Sequence, residues 1–309
     1  MKVAMTGATG LIGSEAYRRL VALGPVLTLG RGVGRDRKVD LSDPATVRDL
    51  DLDGCDTLVH CAGVVDEDFA DAGRAFRQAT QGMAALVARA KSAGVSRFVY
   101  ISSAHVYGPF RGDIDENIPA NPLHDYAIAH FASEQILRRA TSEEFRGLAV
   151  RPCAVFGIPP DLARFRRWSL IPFGFPKAAI ESGSIALASH GMQNRNFVGT
   201  EDISGAILHW LNNSSDTRAF LAVNPIGKQT MTVLEFAGMC AAAATEITGR
   251  TCRVTRPEPS TSDADTFSYK SIYDWSRGHM DLAQTIRQIM LLVRQGAASS
   301  EVREEAWRS

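Results

Sequence analysis

The sequence contains little lysine, few cysteines, no surplus charge and no long apolar run. Its 309 residues carry 34 Lys and Arg against 34 Asp and Glu, and only six of the basic residues are lysine. General binding to nucleic acid or to an anionic membrane surface requires a basic surplus, which this composition lacks. No run approaches the roughly 20 apolar residues that span a bilayer. We therefore expect neither a nucleic acid nor a membrane as a partner.

The five cysteines and seven histidines are dispersed along the chain. No Cys-x-x-Cys or His-Glu-x-x-His motif occurs, so the sequence indicates neither a disulfide framework nor a metal site. The N-terminus reaches Gly7 too early for the apolar core of a signal peptide. These features predict a reduced, cytoplasmic protein.

Short apolar runs alternate with amphipathic stretches in the first half of the chain. This alternation predicts an α/β fold of the Rossmann type, a doubly wound parallel sheet whose ligands bind at the carboxyl ends of the strands. The predicted strands are Lys2–Met5, Val26–Leu29, Thr57–His60, Arg97–Ile101 and Leu148–Arg151. The predicted helices are Ser14–Leu23, Ala72–Ala93 and Tyr126–Ala140.

The regular alternation ends near Gly157, and prolines and glycines then predict a loop-rich region up to about Gly191. The next predicted elements are the strand Arg195–Val198, the helix Ile203–Leu211, the strand Phe220–Val223 and the helix Val233–Thr248. We predict a dinucleotide-binding domain over residues 1–157, to which elements near 195–224 return. Residues 158–309 then form a smaller, irregular and mainly substrate-binding part.

A glycine-rich loop follows the first predicted strand and opens the first helix. Gly7, Gly10 and Gly13 have the spacing Gly-x-x-Gly-x-x-Gly, with Leu11 and Ile12 between the last two. Glycines in this context allow a tight turn, bring the backbone close to a pyrophosphate and let the helix pack closely on the strand. The loop therefore predicts a dinucleotide site.

The end of the second predicted strand discriminates between NAD and NADP. An acidic residue there binds the free ribose hydroxyls of NAD, whereas arginine accommodates the 2′-phosphate of NADP. The strand runs into Gly30 without an acid at its tip, and Arg31, Arg35 and Arg37 follow. The sequence therefore favours NADP over NAD, with Arg31 as a cofactor-binding residue.

Further motifs keep a fixed order along the chain. They are Asp40-Leu41, His60-Cys61-Ala62-Gly63, the segment 99–108 with Ser103, the segment 126–130, Arg151-Pro152-Cys153 up to Gly157, and the segment 195–202. Together with the glycine loop they resemble the NAD-dependent epimerase/dehydratase family of extended short-chain dehydrogenase/reductases, over roughly residues 1–270. The resemblance implies cofactor contacts by Asp40 and Leu41 at the adenine, by Cys61, Ala62 and Gly63 beside the cofactor, and by Cys153 near the nicotinamide.

The resemblance also implies the chemistry. A hydroxyl–carbonyl interconversion needs a group that moves the hydroxyl proton while the nicotinamide carries the hydride. In the family a serine hydroxyl hydrogen-bonds the substrate oxygen and a tyrosine phenol is the acid or base. These positions are Ser103 and Tyr126 here.

The position one helical turn after Tyr126 departs from the family pattern. The family has a lysine there, which holds the nicotinamide ribose and lowers the phenol pKa, whereas this chain has His130. A unit charge at about 4 Å, with an effective dielectric near 20, is worth on the order of 4 kcal/mol, or about 3 pKa units. A histidine with a reference pKa of ~6.5 is mostly neutral at pH 7. His130 could still donate a hydrogen bond to the ribose.

A second departure is Ala79, which aligns with the asparagine of the family's Asn-x-x-Gly proton relay. Three interpretations follow. His130 is a working substitute for lysine, with Tyr126 tuned partly by the charge of the oxidised nicotinamide. Alternatively, the reaction needs less base strength, as in reduction of a ketosugar where Tyr126 only donates a proton. Or the site has lost its chemistry and kept its binding.

The resemblance implies a nucleotide-linked sugar as substrate, whose diphosphate Arg195 binds through bidentate contacts. The alternative is a structural Arg195 paired with Glu201 or Asp202. In the loop-rich region Arg164, Arg166 and Arg167 form a basic patch with Trp168, which lies near a nucleotide or is simply solvated.

The predicted activity is that of a nicotinamide-dependent nucleotide-sugar epimerase or 4-ketosugar reductase. Two alternatives stay open, namely an NADPH-dependent ketoreductase of a non-sugar carbonyl compound and a catalytically impaired dinucleotide-binding protein. Because helices equivalent to Ala72–Ala93 and Tyr126–Ala140 often pair between subunits in the family, we also expect a homodimer.

Overall fold

A parallel sheet lies at the centre of the molecule. The computed structural model describes residues 1–213, 217–258 and 267–308, the side chains of 276 and 297–308 excepted. Its strands are β1 Val3–Thr6, β2 Val26–Gly30, β3 Arg37–Lys38, β4 Thr57–His60, β5 Arg97–Ile101, β6 Gly112–Ile114, β7 Arg146–Val150, β8 Ala154–Phe156, β9 Ser184–Ala186, β10 Asn194–Gly199, β11 Phe220–Val223, β12 Gln229–Thr232, β13 Arg253–Thr255 and β14 Phe267–Tyr269. Its helices are α1 Leu11–Leu20, α2 Pro44–Arg48, α3 Ala72–Arg77, α4 Met83–Ser92, α5 Asp125–Ala140, α6 Ile171–Glu181, α7 Thr200–Asn212, α8 Val233–Thr248 and α9 Leu282–Arg308.

The central sheet has the strand order β11-β7-β5-β4-β1-β2-β3. The chain proceeds outward from β1 to β2 and β3, and then returns to place β4 on the other side of β1. Ligands bind outside the carboxyl ends of the strands at such a reversal. The loops after β1 and β4 both lie there. The predicted Rossmann-type fold class is confirmed.

Helices cover both faces of the sheet, and each face has its own hydrophobic core. Successive side chains of β1 point alternately into these two cores. Val3 and Met5 pack into the core beneath α1 and α7, whereas Ala4 packs into the core beneath α4 and α5. Such strands have no solvated face, which explains why the predicted strands are mainly apolar rather than alternating between apolar and polar residues.

The second half of the chain corrects one prediction. The region predicted to be loop-rich contains the eleven-residue helix α6. Pro172 occupies the first turn, where a missing N–H breaks no helical bond, and Pro176 is tolerated further along. Phe173 and Ala179 are buried in the core that α6 shares with α8 and α9, so tertiary packing outweighs the local signal.

Two later elements join the first half of the chain. Helix α7 packs on α1, and strand β11 pairs in parallel with β7 at the edge of the central sheet. The functional division at residue 157 stays a prediction. Within the described part of the chain, no helix is both long enough and apolar enough to cross a membrane.

Candidate active site

A cavity of about 920 Å³ opens at the carboxyl ends of the central strands. The predicted site residues that line it are Gly10, Leu11, Ile12, Gly13, Cys61, Gly63, Ser103, Tyr126, His130, Cys153 and Arg195. The structure thus brings the serine, the tyrosine and the glycine loop to one cavity. Outside its lining lie Gly7, Arg31, Asp40, Leu41 and Ala62.

The glycine loop has the geometry that a pyrophosphate needs. Gly7 adopts φ +72°, and a Cβ there would lie 2.6 Å from the carbonyl carbon of Cys61. A Cβ on Gly13 would lie 2.0 Å from the carbonyl oxygen of Gly7, so only glycine allows α1 to pack this closely. Gly10 is the N-cap of α1, and neither a side-chain cap nor an acidic residue occupies the first turn. The amides at this helix end are free for an anion, and the loop fits a dinucleotide.

The three arginines after β2 have different environments. Arg37 pairs with Asp51 at 2.7 Å, and the side chain of Arg35 lies over Gly30. Arg31 is exposed and has no hydrogen bond or ion pair among the described residues, although its charge acts on Asp40 and helps to lower the pKa of that carboxyl. Of the three, Arg31 is therefore the most available to a 2′-phosphate.

The Asp40-Leu41 segment lies against a distortion of the helix formed by α3 and α4. A π-helical turn, Gln78–Gly82, joins these two helices. A Cβ on Gly82 would lie 1.9 Å from the carbonyl oxygen of Leu41, which explains the glycine of the Asn-x-x-Gly match. Asp40 accepts hydrogen bonds from the backbone and hydroxyl of Ser42, which hold its carboxylate in place.

No side chain at Ala79 can relay a proton, because this residue is a buried alanine in the π-helical turn. Its carbonyl oxygen accepts a hydrogen bond from Ser133 Oγ at 2.7 Å. The neighbouring Gln78 donates to the carbonyl of Ala62 at 3.0 Å. The amide of Gln78 therefore lies beside the strand end that the family's motif places next to the cofactor.

Ser103 and Tyr126 come from neighbouring elements. Ser103 follows β5 and is buried, and its Oγ accepts a hydrogen bond from the amide of His105 at 3.2 Å. Tyr126 lies in the first turn of α5 and is half-buried. Burial raises the pKa of Tyr126, while Arg167 and the hydroxyl of Ser103 act to lower it. The phenol is therefore protonated at neutral pH.

His130 is buried, neutral and fully engaged with protein atoms. Its Nε2 lies 3.2 Å from the carbonyl oxygen of Val64, and its Nδ1 lies 2.7 Å from the hydroxyl of Tyr100. A carbonyl only accepts, so Nε2 carries the proton and Nδ1 accepts from Tyr100. Burial lowers the pKa of His130 to about 3. In this arrangement donation to a ribose requires breaking the bond to Val64.

The rings of His130 and Tyr126 nevertheless touch. Their centroids are 4.5 Å apart in an edge-on arrangement, as their spacing of one helical turn allows. His130 therefore fixes the position of the phenol without giving it a charge.

Arg195 lines the cavity without an acidic partner among the described residues. Its guanidinium lies 5.3 Å above the ring of Phe110 and donates to the carbonyl of Asn194 at 2.7 Å. Glu201 pairs with Arg19 instead. The carboxylate of Asp202 accepts from the backbone amides of 199, 279 and 280. Arg195 therefore pairs with neither Glu201 nor Asp202, and its role in binding a diphosphate stays a prediction.

A buried ion pair beneath the site was missed in the sequence. Glu134 is fully buried on α5 and lies 2.6 Å from Arg151, whose side chain is 8% exposed. Burial alone would lower the pKa of Arg151, but the carboxylate of Glu134 raises it above the usual value. Ser102 also donates to Glu134. This cluster ties α5 to the ends of β5 and β7, which carry Ser103 and Cys153.

The two cavity-lining thiols are not nucleophiles at neutral pH. Burial raises the pKa of Cys61 to about 12, and it also raises the pKa of Cys153. Among the described residues, no three His, Cys, Asp or Glu side chains are grouped so that they could hold a metal ion.

Comparison with known proteins establishes the family. A model of the NAD dependent epimerase/dehydratase family matches residues 3–224. The chain belongs to this family. The predicted resemblance is confirmed, and the chain is an enzyme of the nicotinamide-dependent, extended short-chain dehydrogenase/reductase type.

Relatives of the chain differ in the reactions for which they are named. It is 24% identical to a UDP-glucose 4-epimerase of Lacticaseibacillus casei, over 93% of this chain and 95% of the relative. It is 29% identical to a dTDP-4-dehydro-6-deoxy-D-allose reductase of a Streptomyces species, over 84% of each chain. Other curated relatives match over about half of their own length.

A solved structure shares the fold. The dTDP-glucose 4,6-dehydratase DesIV of Streptomyces venezuelae, with NAD and TYD bound, is similar with a TM-score of 0.77 at 22% identity. The alignment covers 96% of this chain and 97% of that one. This likeness establishes the fold, while the roles of individual site residues stay predictions.

Proposed function

We propose that the chain is an NADPH-dependent reductase of a keto group on a nucleotide-linked sugar. The observation that carries the proposal is the geometry around Tyr126, a phenol in the cavity with Ser103 and beside a His130 that its bonds to Val64 and Tyr100 hold in a neutral tautomer. A protonated phenol is the form that reduction requires, since the carbonyl oxygen must gain a proton. Oxidation of a hydroxyl, with which an epimerase begins, requires the phenolate instead.

Different residues of the chain have different roles in this reaction. Ser103 and Tyr126 hydrogen-bond the carbonyl oxygen and polarise it, and Tyr126 gives that oxygen its proton. Arg195 holds the diphosphate and thereby fixes the sugar in the cavity. The glycine loop and the N-terminus of α1 hold the pyrophosphate of the cofactor. When bound, the nicotinamide supplies the hydride.

NADPH oxidation in the presence of a nucleotide-linked 4-ketosugar tests this function. We expect consumption of one cofactor per sugar reduced, because a reductase releases its oxidised cofactor. An epimerase would instead retain its cofactor and interconvert two sugars without net consumption. A protein that binds NADPH but reduces no such sugar would contradict the proposal.

The preference for NADP is testable at Arg31. Arg31→Glu replaces the cation proposed to bind the 2′-phosphate with an anion. The Kd for NADPH should therefore rise about tenfold or more, and each tenfold rise corresponds to a loss of about 1.4 kcal/mol in binding free energy. The Kd for NADH should not rise. Arg37→Glu is the matched control, since Arg37 is already paired with Asp51. Equal losses for both cofactors in Arg31→Glu would contradict the assignment.

The nucleotide-sugar assignment is testable at Arg195. Removing the charge in Arg195→Gln should raise KM about tenfold to a hundredfold, because a charge-assisted hydrogen bond contributes about 1.5–3 kcal/mol. Arg164→Gln is the control, since Arg164 lines the same cavity but is exposed and near Asp161. If nucleotide diphosphates leave the Tm of the protein unchanged and Arg195→Gln is silent, a non-sugar ketoreductase becomes the better assignment.

The homodimer and the cytoplasmic location stay predictions from the sequence. Size-exclusion chromatography with light scattering tests the first of these directly.

A further inference from the structure

Arg167 brings a positive charge to Tyr126 from outside the central sheet. It lies in the segment between β8 and α6 and lines the same cavity as Ser103, Tyr126 and His130. Its partner Asp66 lies two residues after Val64, whose carbonyl contacts the ring of His130 that packs against Tyr126. The charge of Arg167 acts to lower the pKa of the phenol. Sequence spacing does not place this residue near the phenol, because it lies 41 residues from Tyr126 across an irregular segment.

Two acidic residues hold Arg167 in this position. Its Nη2 donates to Asp66 Oδ2 at 3.2 Å, and its Nε lies 3.2 Å from Glu67 Oε2. Arg167 Nε and Glu67 Oε2 are both buried, but their geometry is not that of a hydrogen bond. The contact between them is therefore purely electrostatic. Glu67 also accepts a hydrogen bond from Ser169 Oγ at 3.0 Å. Asp66 and Glu67 thus hold the guanidinium against the Asp66–Asp71 turn, at the cavity that Tyr126 also lines.

The other groups around Tyr126 do not provide a fixed positive charge. The titratable and charged side chains that face it are Tyr100, His105, His124, His130, Asp66 and Arg167. Burial lowers the pKa of His105 to about 4, so it is neutral like His130. Asp66 acts against Arg167, because its negative charge raises the pKa of Tyr126. Arg167 is the permanently charged cation of this set.

We propose that Arg167 supplies, from the segment before α6, the positive charge that the family's lysine supplies at the position of His130. The proposal rests on the proposed function, in which Tyr126 moves the substrate proton. In the reduction, the O–H bond of Tyr126 breaks, the proton passes to the carbonyl oxygen, and the carbonyl carbon gains a hydride from NADPH. Arg167 stabilises the phenolate that is left behind. Arg167 is therefore a positioning residue that acts through Tyr126.

The ionisation of Tyr126 in the cofactor-free protein tests the proposal without relying on activity. The pH midpoint of this ionisation is obtained from the tyrosinate absorbance, after subtraction of the absorbance of the Tyr126→Phe variant at the same pH. Arg167→Gln should raise the midpoint by about one to three pKa units, the usual effect of removing a nearby opposite charge. Arg167→Lys should keep most of the effect. Arg164→Gln, the control from the same segment, should leave the midpoint unchanged.

The pH dependence of turnover provides the second readout. In the oxidative direction kcat/KM rises with pH as the phenolate forms, so a higher phenol pKa in Arg167→Gln moves this rise to higher pH. In the reductive direction kcat/KM falls at alkaline pH because the phenol loses its proton. In Arg167→Gln this fall should also move to higher pH. If Arg167 merely anchored its loop, its loss would lower kcat/KM equally at every pH and would leave the Tyr126 midpoint in place. Either result would overturn the proposal.

Rescue provides a stringent control. Adding His130→Lys to Arg167→Gln restores a cation one helical turn from Tyr126, and it should return both the midpoint and the pH profile toward those of the native protein. Failure of the double variant to recover either, in a protein that keeps its native circular dichroism, would contradict the proposal. If no sugar nucleotide is turned over but the midpoint moves, the proposed function fails and the role of Arg167 stands. If sugars are reduced but the midpoint does not move, the proposed function stands and the role of Arg167 fails.

Discussion

Tyr126→Phe should lower kcat for ketosugar reduction by about 10²- to 10⁴-fold, the usual contribution of a positioned general acid. The substitution removes only the phenol oxygen, and the edge-on contact with His130 needs only the ring. Cofactor affinity should therefore change little. Steady-state kinetics together with NADPH fluorescence titration separate the two effects.

Ser103→Ala is the companion variant. Ser103 polarises the carbonyl but carries no transferable proton in the proposed reaction, so its loss should be smaller than that of Tyr126→Phe. An unchanged kcat in Tyr126→Phe would exclude the phenol as the proton donor. It would show that another group protonates the carbonyl oxygen.

Glu134→Gln should destabilise the protein by about 3–5 kcal/mol, because it leaves the guanidinium of Arg151 buried without its counter-charge. The substitution keeps the size of the side chain, so it opens no cavity. Urea denaturation of the two proteins at neutral pH gives the difference in the free energy of unfolding.

Glu181→Gln is the matched control, since it removes the same charge from an exposed pair with Lys177. That pair should contribute under about 1 kcal/mol. Replacing both members of the buried pair with apolar residues, as in Glu134→Leu with Arg151→Met, should recover much of the loss. Equal effects of Glu134→Gln and Glu181→Gln would show that the buried pair is not important for stability.

Much of the fold was predictable because its signals are local. The strands Thr57–His60, Arg97–Ile101 and Phe220–Val223 have the predicted bounds, since each is a short, mainly apolar run in the parallel sheet. Helix α6 was not predictable in this way. Its prolines signal a loop, and only the packing of its apolar side chains against later helices decides otherwise.

The candidate site was likewise predictable where its features depend on local spacing, and not where they depend on tertiary contacts. Tyr126 and His130 are one helical turn apart, so their contact follows from spacing alone. Glu134 was also open to prediction, because it shares a helix face with the apolar Ala127 and Leu137, and a charge on such a face needs a buried partner. The tautomer of His130 depends on Tyr100 and Val64, which belong to other elements. Such tertiary contacts leave no pattern in the sequence.

Transfer of deuterium from labelled NADPH is the most direct test of the central claim. The protein is incubated with a nucleotide-linked 4-ketosugar and NADPH that carries deuterium at the transferred position, and the sugar product is examined by mass spectrometry. The proposed reductase predicts one deuterium in the product for each NADP released, with Tyr126→Phe slowing the transfer about 10²- to 10⁴-fold. A sugar product without deuterium, or transfer that is unaffected by Tyr126→Phe, would contradict it.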